Sequence, residues 1–243
     1  MTAATKTQPL PLTAARSMAD KLVAQLRPAC RNIAIAGSIR RGMAHVHDIE
    51  LVAIPHITWQ PVTETQQLAL FTDATHVKRV QISALDQVLE RLMDANMLQR
   101  TPPPGIKTPA AWGERYKKLW ARVNNHYGWV QIDLFIATPV NWGAIYAIRT
   151  GCSAFSNALV TYIKHHTPYR QEAGQLVYVP SRQPVPVPTE RAYFATIGVP
   201  WIAPHLRNER AARRLYGYRW PLAKPDDHAV RAMIRARLEA GLD

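Results

Sequence analysis

The sequence has very few cysteines, few acidic residues compared with basic ones, and no long apolar run. Its 243 residues include only 2 cysteines, Cys30 and Cys152, which excludes a disulfide framework or a four-cysteine zinc site and is typical of a reducing compartment. No apolar run approaches the roughly 20 residues that a membrane-spanning helix needs. The first residues lack the apolar stretch of a signal peptide. We therefore expect a soluble cytoplasmic protein without a membrane partner.

The shortage of acidic residues leaves a large positive charge. The chain has 30 Lys and Arg against 17 Asp and Glu, a formal net charge of +13. A surplus of this size usually accompanies a polyanionic partner, so nucleic acid is the leading candidate. Hydrophobic residues make up 47% of the chain, enough for the core of one large domain or two small ones, and this excludes a disordered basic tail.

Local patterns predict a chain in which helices and strands are mixed. Apolar spacings of three and four predict helices over residues 12–26, 83–96, 142–148 and 153–165. Alternation and short apolar runs predict strands over 33–36 and 48–54 and a hairpin between 116 and 136. Thr189 is a good N-cap for a short helix that ends at Gly198, and a last helix is predicted after Asp227. These elements predict the α+β class, with a domain boundary near residue 168, where the composition becomes rich in proline and arginine.

Three acidic residues in the predicted strands suggest a metal site. Side chains alternate along a strand, so Asp48 and Glu50 project to the same side. Asp133 is isolated in an apolar strand, where an unpaired carboxylate is costly and usually has a cation or a hydrogen-bond network as partner. Mg²⁺ prefers oxygen ligands, and two such ions roughly 3.5 to 4 Å apart can stabilise both oxygens of an in-line displacement.

A basic turn lies just ahead of the acidic strand. Gly37 and Ser38 end the first predicted strand and are followed by Arg40 and Arg41. Exposed backbone N–H groups, a hydroxyl and guanidinium groups can together receive the charge of a triphosphate. Either feature alone is common on protein surfaces, but the turn and the acids in combination favour phosphoryl transfer.

The order and spacing of these motifs resemble the family X DNA polymerases, the group of polymerase beta. The resemblance covers about residues 12 to 207 and is carried by four segments: 36–42 with Asp48-Ile49-Glu50, Ile132-Asp133-Leu134, 142–151 and 190–207. It implies a nucleotidyltransferase palm, a mixed β-sheet with helices on one face, followed by a small α/β thumb. We expect no counterpart of the lyase and helix-hairpin-helix domains of typical members. We accordingly expect a flexible N-terminus over 1–11, a palm over 12–168 and a thumb over 169–243 that contains the basic C-terminal helix.

The resemblance also implies a role for individual residues. Asp48, Glu50 and Asp133 would be the catalytic residues and would bind two Mg²⁺ ions, for which Mn²⁺ can substitute. The nucleotide would be bound by Gly37, Ser38, Arg40, Arg41, His47, Ile148, Arg149, Thr150, Gly151, Ser153, Ser156 and Asn157. The basic and aromatic stretch from 107 to 122 would contact DNA through Lys107, Arg115, Lys117, Lys118 and Arg122.

Several positions depart from the family pattern. Glu50 stands where polymerase members usually have Asp, and Gln131 and Phe135 replace arginines of polymerase beta. Ile148 and Arg149 occupy the Tyr-Phe positions that in many members lie beneath the sugar and discriminate against a 2′-hydroxyl. Sugar selectivity is therefore an open question.

The leading hypothesis is a monomeric, metal-dependent DNA nucleotidyltransferase that extends a DNA 3′-hydroxyl with nucleoside triphosphates, in gap filling or end repair. Its partners would be gapped or primer-template DNA. One alternative is a template-independent or ribonucleotide-using transferase. Another, of a different class, is a catalytically inactive nucleic-acid-binding protein.

Overall fold

The computed structural model describes residues 9–61 and 79–217. Its helices are α1 (Leu12–Leu26), α2 (Gly37–Arg41), α3 (Ala84–Asp94), α4 (Trp142–Thr150), α5 (Ser153–His166), α6 (Glu190–Thr196) and α7 (Glu209–Gly217). Its strands are β1 (Leu10–Pro11), β2 (Cys30–Ile35), β3 (His45–Val46), β4 (Asp48–Pro55), β5 (Ile57–Pro61), β6 (Arg79–Ser83), β7 (Ala111–Trp112), β8 (Tyr116–Asn124), β9 (Gly128–Ile136), β10 (Tyr169–Glu172), β11 (Gln175–Tyr178) and β12 (Gln183–Pro184).

A five-stranded mixed sheet in the order β2-β4-β9-β8-β7 is the largest sheet of the described residues. Strands β4 and β9 are parallel neighbours, and the remaining pairs are antiparallel. The hairpin predicted between residues 116 and 136 forms its β8 and β9. Together with the helices, this mixed sheet confirms the α+β class.

The two faces of this sheet have different surroundings. Ile49 and Leu51 of β4 and Ile132 of β9 are buried in a core that also contains the apolar stripe of α1 and Leu85 and Leu89 of α3. Helix α1 covers the range predicted for it and ends at Leu26, ahead of Pro28. Because side chains alternate, the acidic positions of β4 and β9 lie on the opposite face.

That opposite face is only partly covered. Val52 and Ile54 of β4 pack with Phe135 of β9 and Trp142 at the start of α4. This small cluster lies toward the C-terminal end of β4, whereas Asp48 and Glu50 lie at its N-terminal end. Helix α4 therefore covers one end of the face and leaves the acidic end free to border a cavity.

A second core begins at α4. It combines buried residues of α4 and α5 with those of β10, β11, α6 and α7, among them Phe155, Tyr178, Phe194 and Leu215. Helix α4 also packs on the sheet through Trp142, so it contacts both cores. The apolar side of α5 packs against elements that follow it in the chain. The domain boundary expected near residue 168 stays a prediction.

The structure modifies two further expectations, one at the chain's beginning and one at the basic turn. Leu10, expected in a flexible terminus, is only 1% exposed and pairs with Val46, because β1 joins β3 in a small antiparallel sheet. The turn at Gly37 is the start of the short helix α2. The helix predicted after Asp227 lies outside the described residues. Within the described part of the chain, no helix has the length and apolarity to cross a membrane.

Candidate active site

The parallel pairing of β4 and β9 brings the three predicted metal ligands onto one face. Glu50 is directly opposite Asp133 in the strand register, and Asp48 is opposite Gln131. Burial raises the pKa of Asp48, and the charge of Asp133 raises it further. Burial also raises the pKa of Glu50 to about 8, with added repulsion from Asp48 and Asp133. Asp133 is thus close enough to oppose the ionisation of both Asp48 and Glu50.

Two neighbouring side chains bind the third carboxylate. The Tyr116 hydroxyl donates a hydrogen bond of 2.6 Å to Oδ1 of Asp133. The Gln131 amide donates to both carboxylate oxygens at 3.0 Å. The Tyr116 ring stacks on Phe135, with ring centroids 5.1 Å apart, because these residues are paired across the hairpin. Burial and the hydrogen bond to Asp133 raise the pKa of Tyr116 well above its ordinary value, so the phenol remains a donor.

Tyr116 is a functional candidate that sequence reasoning missed. The alternation of basic and aromatic residues in this strand suggested a nucleic-acid contact, not a partner for an acid. The signal that could have found it is the hairpin register. A hairpin centred on the turn at 124–128 places Tyr116 opposite Phe135, on the face that carries Asp133.

Gly37 has a backbone and a contact that other residues would not tolerate. Its φ of +60° lies in the left-handed region, which favours glycine. A Cβ atom at this position would overlap the carboxylate of Glu50. Absence of a side chain at residue 37 therefore lets the start of α2 approach the acidic strand. The next residue, Ser38, has a buried hydroxyl oxygen without a hydrogen-bond partner among the described residues.

A cavity of about 480 Å³ adjoins the acids and collects most of the predicted nucleotide-binding residues. Its volume is in the usual range for small-molecule sites, roughly 300 to 1,000 Å³. The lining residues that the sequence predicted are Ser38, Arg41, His47, Asp48, Glu50, Ile148, Arg149, Gly151, Ser153, Ser156 and Asn157. Cys152 and Val160 complete the lining.

Two arginines reach this region from different elements. Arg41 donates from Nη1 to the backbone oxygen of Thr150 at 2.7 Å, which fixes α2 against the end of α4. The Arg149 guanidinium lies over the Phe135 ring, 4.0 Å from its centroid. Both cations oppose the rise in the pKa of Glu50. The cavity thus has acidic residues on the sheet side and cationic groups from α2 and α4.

Arg40 and Thr150, predicted as nucleotide contacts, belong to a different contact network. Arg40 donates to both carboxylate oxygens of Glu190 at 2.7 Å and from Nη1 to the Thr150 hydroxyl at 2.7 Å. Thr150 is fully buried. Buried Arg207 donates to the same carboxylate at 2.5 Å. Both predicted contacts are therefore engaged in joining α2 to α6, since Glu190 lies at the start of α6.

Strand alternation divides the predicted DNA contacts. Lys117 is only 4% exposed and faces the helices, where its ammonium pairs with Asp86 at 3.0 Å, so it is not available to a DNA backbone. Lys118 is opposite Asp133 in the register, on the acidic face. Lys107, Arg115 and Arg122 are exposed. Four of the five predicted contacts therefore remain candidates.

The chemistry of the donor set fits a hard divalent cation. Among the described residues, no group of three or more His, Cys, Asp or Glu side chains is arranged to hold a metal ion. Both oxygens of Asp133 accept hydrogen bonds, and Asp48 and Glu50 repel each other. A divalent cation would relieve that repulsion, and carboxylate oxygens are its preferred ligands. Asp48, Glu50 and Asp133 have the chemistry to hold it, while their side chains are not grouped as a metal site in this structure.

No protein-family model matches this chain, and no curated protein matches it either. A function must therefore be inferred from the residues and their geometry.

Proposed function

We propose that this chain is a metal-dependent DNA nucleotidyltransferase of the family X type, with a palm built on the mixed sheet. Its reaction is the addition of nucleotides from nucleoside triphosphates to a DNA 3′-hydroxyl, in gap filling or end repair. The supporting observation is the position of three carboxylates on one sheet face, beside a cavity that Ser38, Arg41 and Arg149 also line. That combination matches the charges of the reactants, since acids favour cations and the arginines favour phosphates.

Each of these groups has a task in this reaction. Asp48 and Glu50 line the cavity, and Asp133 lies beside Glu50 on the same sheet face. Asp133 accepts the proton of the 3′-hydroxyl, whose oxygen forms a bond to the α-phosphorus. The bond from that phosphorus to the bridging oxygen breaks, and pyrophosphate leaves with the electron pair. Arg41 and the Ser38 hydroxyl, which has no hydrogen-bond partner among the described residues, bind the phosphate oxygens and stabilise the leaving group. Two bound Mg²⁺ ions would supply Lewis-acid stabilisation of the attacking and leaving oxygens.

The activity is tested by primer extension with Mg²⁺ on gapped and primer-template DNA. We expect Asp48→Asn, Glu50→Gln and Asp133→Asn each to reduce the rate at least ~100-fold, because charge stabilisation of several kcal/mol is lost and each 1.36 kcal/mol is a factor of ten. Asp20→Asn is the control. It removes an exposed acid of α1, a helix that packs on the other face of the sheet.

Two results of the primer-extension assay would contradict this proposal. Full activity in Asp133→Asn or Asp48→Asn would refute the mechanism. DNA binding without extension in the unmodified protein would favour the inactive nucleic-acid-binding alternative.

A second candidate is a transferase with ribonucleotide use or without template dependence. The observation that favours it is Arg149, whose guanidinium lines the cavity where many family members have an aromatic residue beneath the sugar. A guanidinium can donate a hydrogen bond to a 2′-hydroxyl, whereas an aromatic ring excludes it by its bulk. Extension of single-stranded and gapped primers with both sugar types separates the two candidates.

A further inference from the structure

Helix α7 follows the segment that resembles the polymerase family. The resemblance ends at about residue 207, and α7 covers Glu209–Gly217. Its apolar residues Ala212 and Leu215 are 3% and 2% exposed and belong to the second core, where the helix packs against α5. This inner side fixes the orientation of the helix and determines which of its residues face solvent.

The outer side of α7 carries a row of arginines. Arg210, Arg213 and Arg214 are all exposed, and their spacings of three and four make them neighbours on the helix surface. None of them forms an ion pair within the described part of the chain. Arg210 and Arg214 are like charges four residues apart, which disfavours a helix, while Arg214 lies in the last turn, where a cation is favourable. We call these three residues the α7 arginine row.

The start of α7 is tied to the wall of the candidate active site. The backbone N–H of Cys152, which lines the cavity, donates to the backbone oxygen of Arg207 at 3.1 Å. Glu209, the first residue of α7, is two positions further along. From Arg207 to Arg214 the chain advances by less than two helical turns, roughly 11 Å. The α7 arginine row therefore begins within about two helical turns of the cavity wall.

We propose that the α7 arginine row binds the phosphate backbone of the nucleic acid whose 3′ end enters the cavity. Guanidinium groups pair with phosphate oxygens in a bidentate manner, and a row on one helix side can follow a strand. Because Lys117 is buried, the hairpin of β8 and β9 offers fewer cations to DNA than the sequence suggested. A larger share of the DNA contacts would then come from the α7 arginine row. This inference rests on the proposed function only in taking DNA as the substrate.

The experiment measures equilibrium binding by fluorescence anisotropy, with a labelled primer-template oligonucleotide and no added divalent metal or nucleotide. The variant combines Arg210→Gln, Arg213→Gln and Arg214→Gln, and affinity is followed against KCl concentration. For duplex DNA, each phosphate contact contributes about −0.9 to the slope of log affinity against log salt. The slope of the triple variant should therefore be less steep by about 2.7. Each single variant should lose about 0.9, which keeps the test valid if the triple variant fails to fold.

A matched control removes the same charge elsewhere. Arg27, Arg31 and Arg91 are exposed and belong to the segments from α1 to β2 and to α3, away from α7. Their triple change to Gln should leave the salt slope close to that of the unmodified protein. A shallower salt slope that is confined to the α7 variants supports the inference. Unchanged binding in those variants, or an equal loss in the control, would overturn it.

The two proposals can fail separately. The binding assay requires no catalysis, so a protein without primer extension could still show the α7 contribution. Conversely, efficient extension together with unaltered binding by the α7 variants would leave the proposed activity standing and remove α7 from the DNA-binding surface.

Discussion

At the scale of single residues, the least expected feature is the pair of donors on Asp133. A carboxylate oxygen has two lone pairs, so it can accept a hydrogen bond and also bind a cation. Partners that hold a metal ligand in this way orient it and typically contribute 10- to 100-fold to metal affinity. Tyr116 is therefore a positioning residue for Asp133, and its stacking on Phe135 holds the phenol in place.

The first residue-scale prediction concerns the Tyr116 hydroxyl. Tyr116→Phe keeps the ring that stacks on Phe135 and removes only the hydrogen bond to Asp133. We expect Mn²⁺ affinity, measured by electron paramagnetic resonance of the free ion, to fall roughly 10-fold or more. Tyr162→Phe is the matched control, because its buried hydroxyl has no hydrogen-bond partner among the described residues. Equal Mn²⁺ affinity in the two variants would show that Tyr116 does not position Asp133.

The second residue-scale prediction concerns Glu190, whose carboxylate lies between Arg40 and Arg207. Hydrogen bonds and charges of these arginines outweigh the effect of burial and lower the pKa of Glu190, so it is ionised at neutral pH. Glu190→Gln would leave buried Arg207 without its counter-ion, and breaking such a buried pair costs roughly 3 to 5 kcal/mol. We expect a matching loss of stability in chemical unfolding.

The control for Glu190 is Glu172→Gln, an exposed acid on β10. We expect it to change the free energy of unfolding by less than about 0.5 kcal/mol. A Glu190→Gln protein as stable as this control would show that the network is not a structural link between α2 and α6.

At the scale of elements, helices and strands could be predicted from the sequence wherever a local pattern of apolar residues is typical of one of them. The stripe of α1 and the alternation of β4 and β9 are local signals, and they were sufficient to place Asp48, Glu50 and Asp133 on strands. The parallel contact between β4 and β9 is not local, because long intervening segments separate them in the chain. The isolated acid in an apolar strand suggested that Asp133 belongs with the other two acids, and the family resemblance supported this, but no local pattern predicts that the two strands are neighbours.

The partners of Arg40 were beyond any local pattern. Arg40 and Arg41 are adjacent in the sequence and equally basic, and both were predicted to bind the triphosphate. In the folded chain Arg40 is directed to Glu190 of α6, while Arg41 lines the cavity. The choice between them depends on a contact across 150 residues of sequence. Similarly, only the register of β8 shows that Lys117 faces the helices and Lys118 faces the acids.

At the scale of the whole molecule, an acidic cluster that two nearby arginines offset only in part lies within a strongly basic protein. The net charge of the chain is +13, whereas Asp48, Glu50 and Asp133 repel one another at a partly buried sheet face. Folding therefore brings together like charges that the unfolded chain keeps apart. The stability of the molecule should depend both on pH and on divalent cations.

The sign of this pH dependence follows from Glu50. Its pKa is about 8 in the folded protein against an ordinary value of 4.5, so the folded state holds more protons between these values. Stability is then highest below the unfolded pKa and falls as the pH rises toward 8. The raised pKa of Asp48 acts in the same direction. Glu190 does not oppose this trend, because its lowered pKa leaves it ionised in both states above about pH 5.5.

We therefore expect the melting temperature to fall between about pH 5.5 and pH 8, and to fall less in Glu50→Gln. Millimolar Mg²⁺ should raise the melting temperature at pH 8, because a ligand that binds only the folded state stabilises it. The gain should be smaller in Glu50→Gln, which offers one charge less, and unchanged in Asp20→Asn, whose acid is exposed on α1. Differential scanning fluorimetry measures the melting temperatures of the unmodified protein, Glu50→Gln and Asp20→Asn. Two results would contradict this prediction: a melting temperature that does not change with pH, together with an equal Mg²⁺ effect in Glu50→Gln. They would mean that repulsion within the cluster does not destabilise the folded protein and that the cluster does not bind the cation.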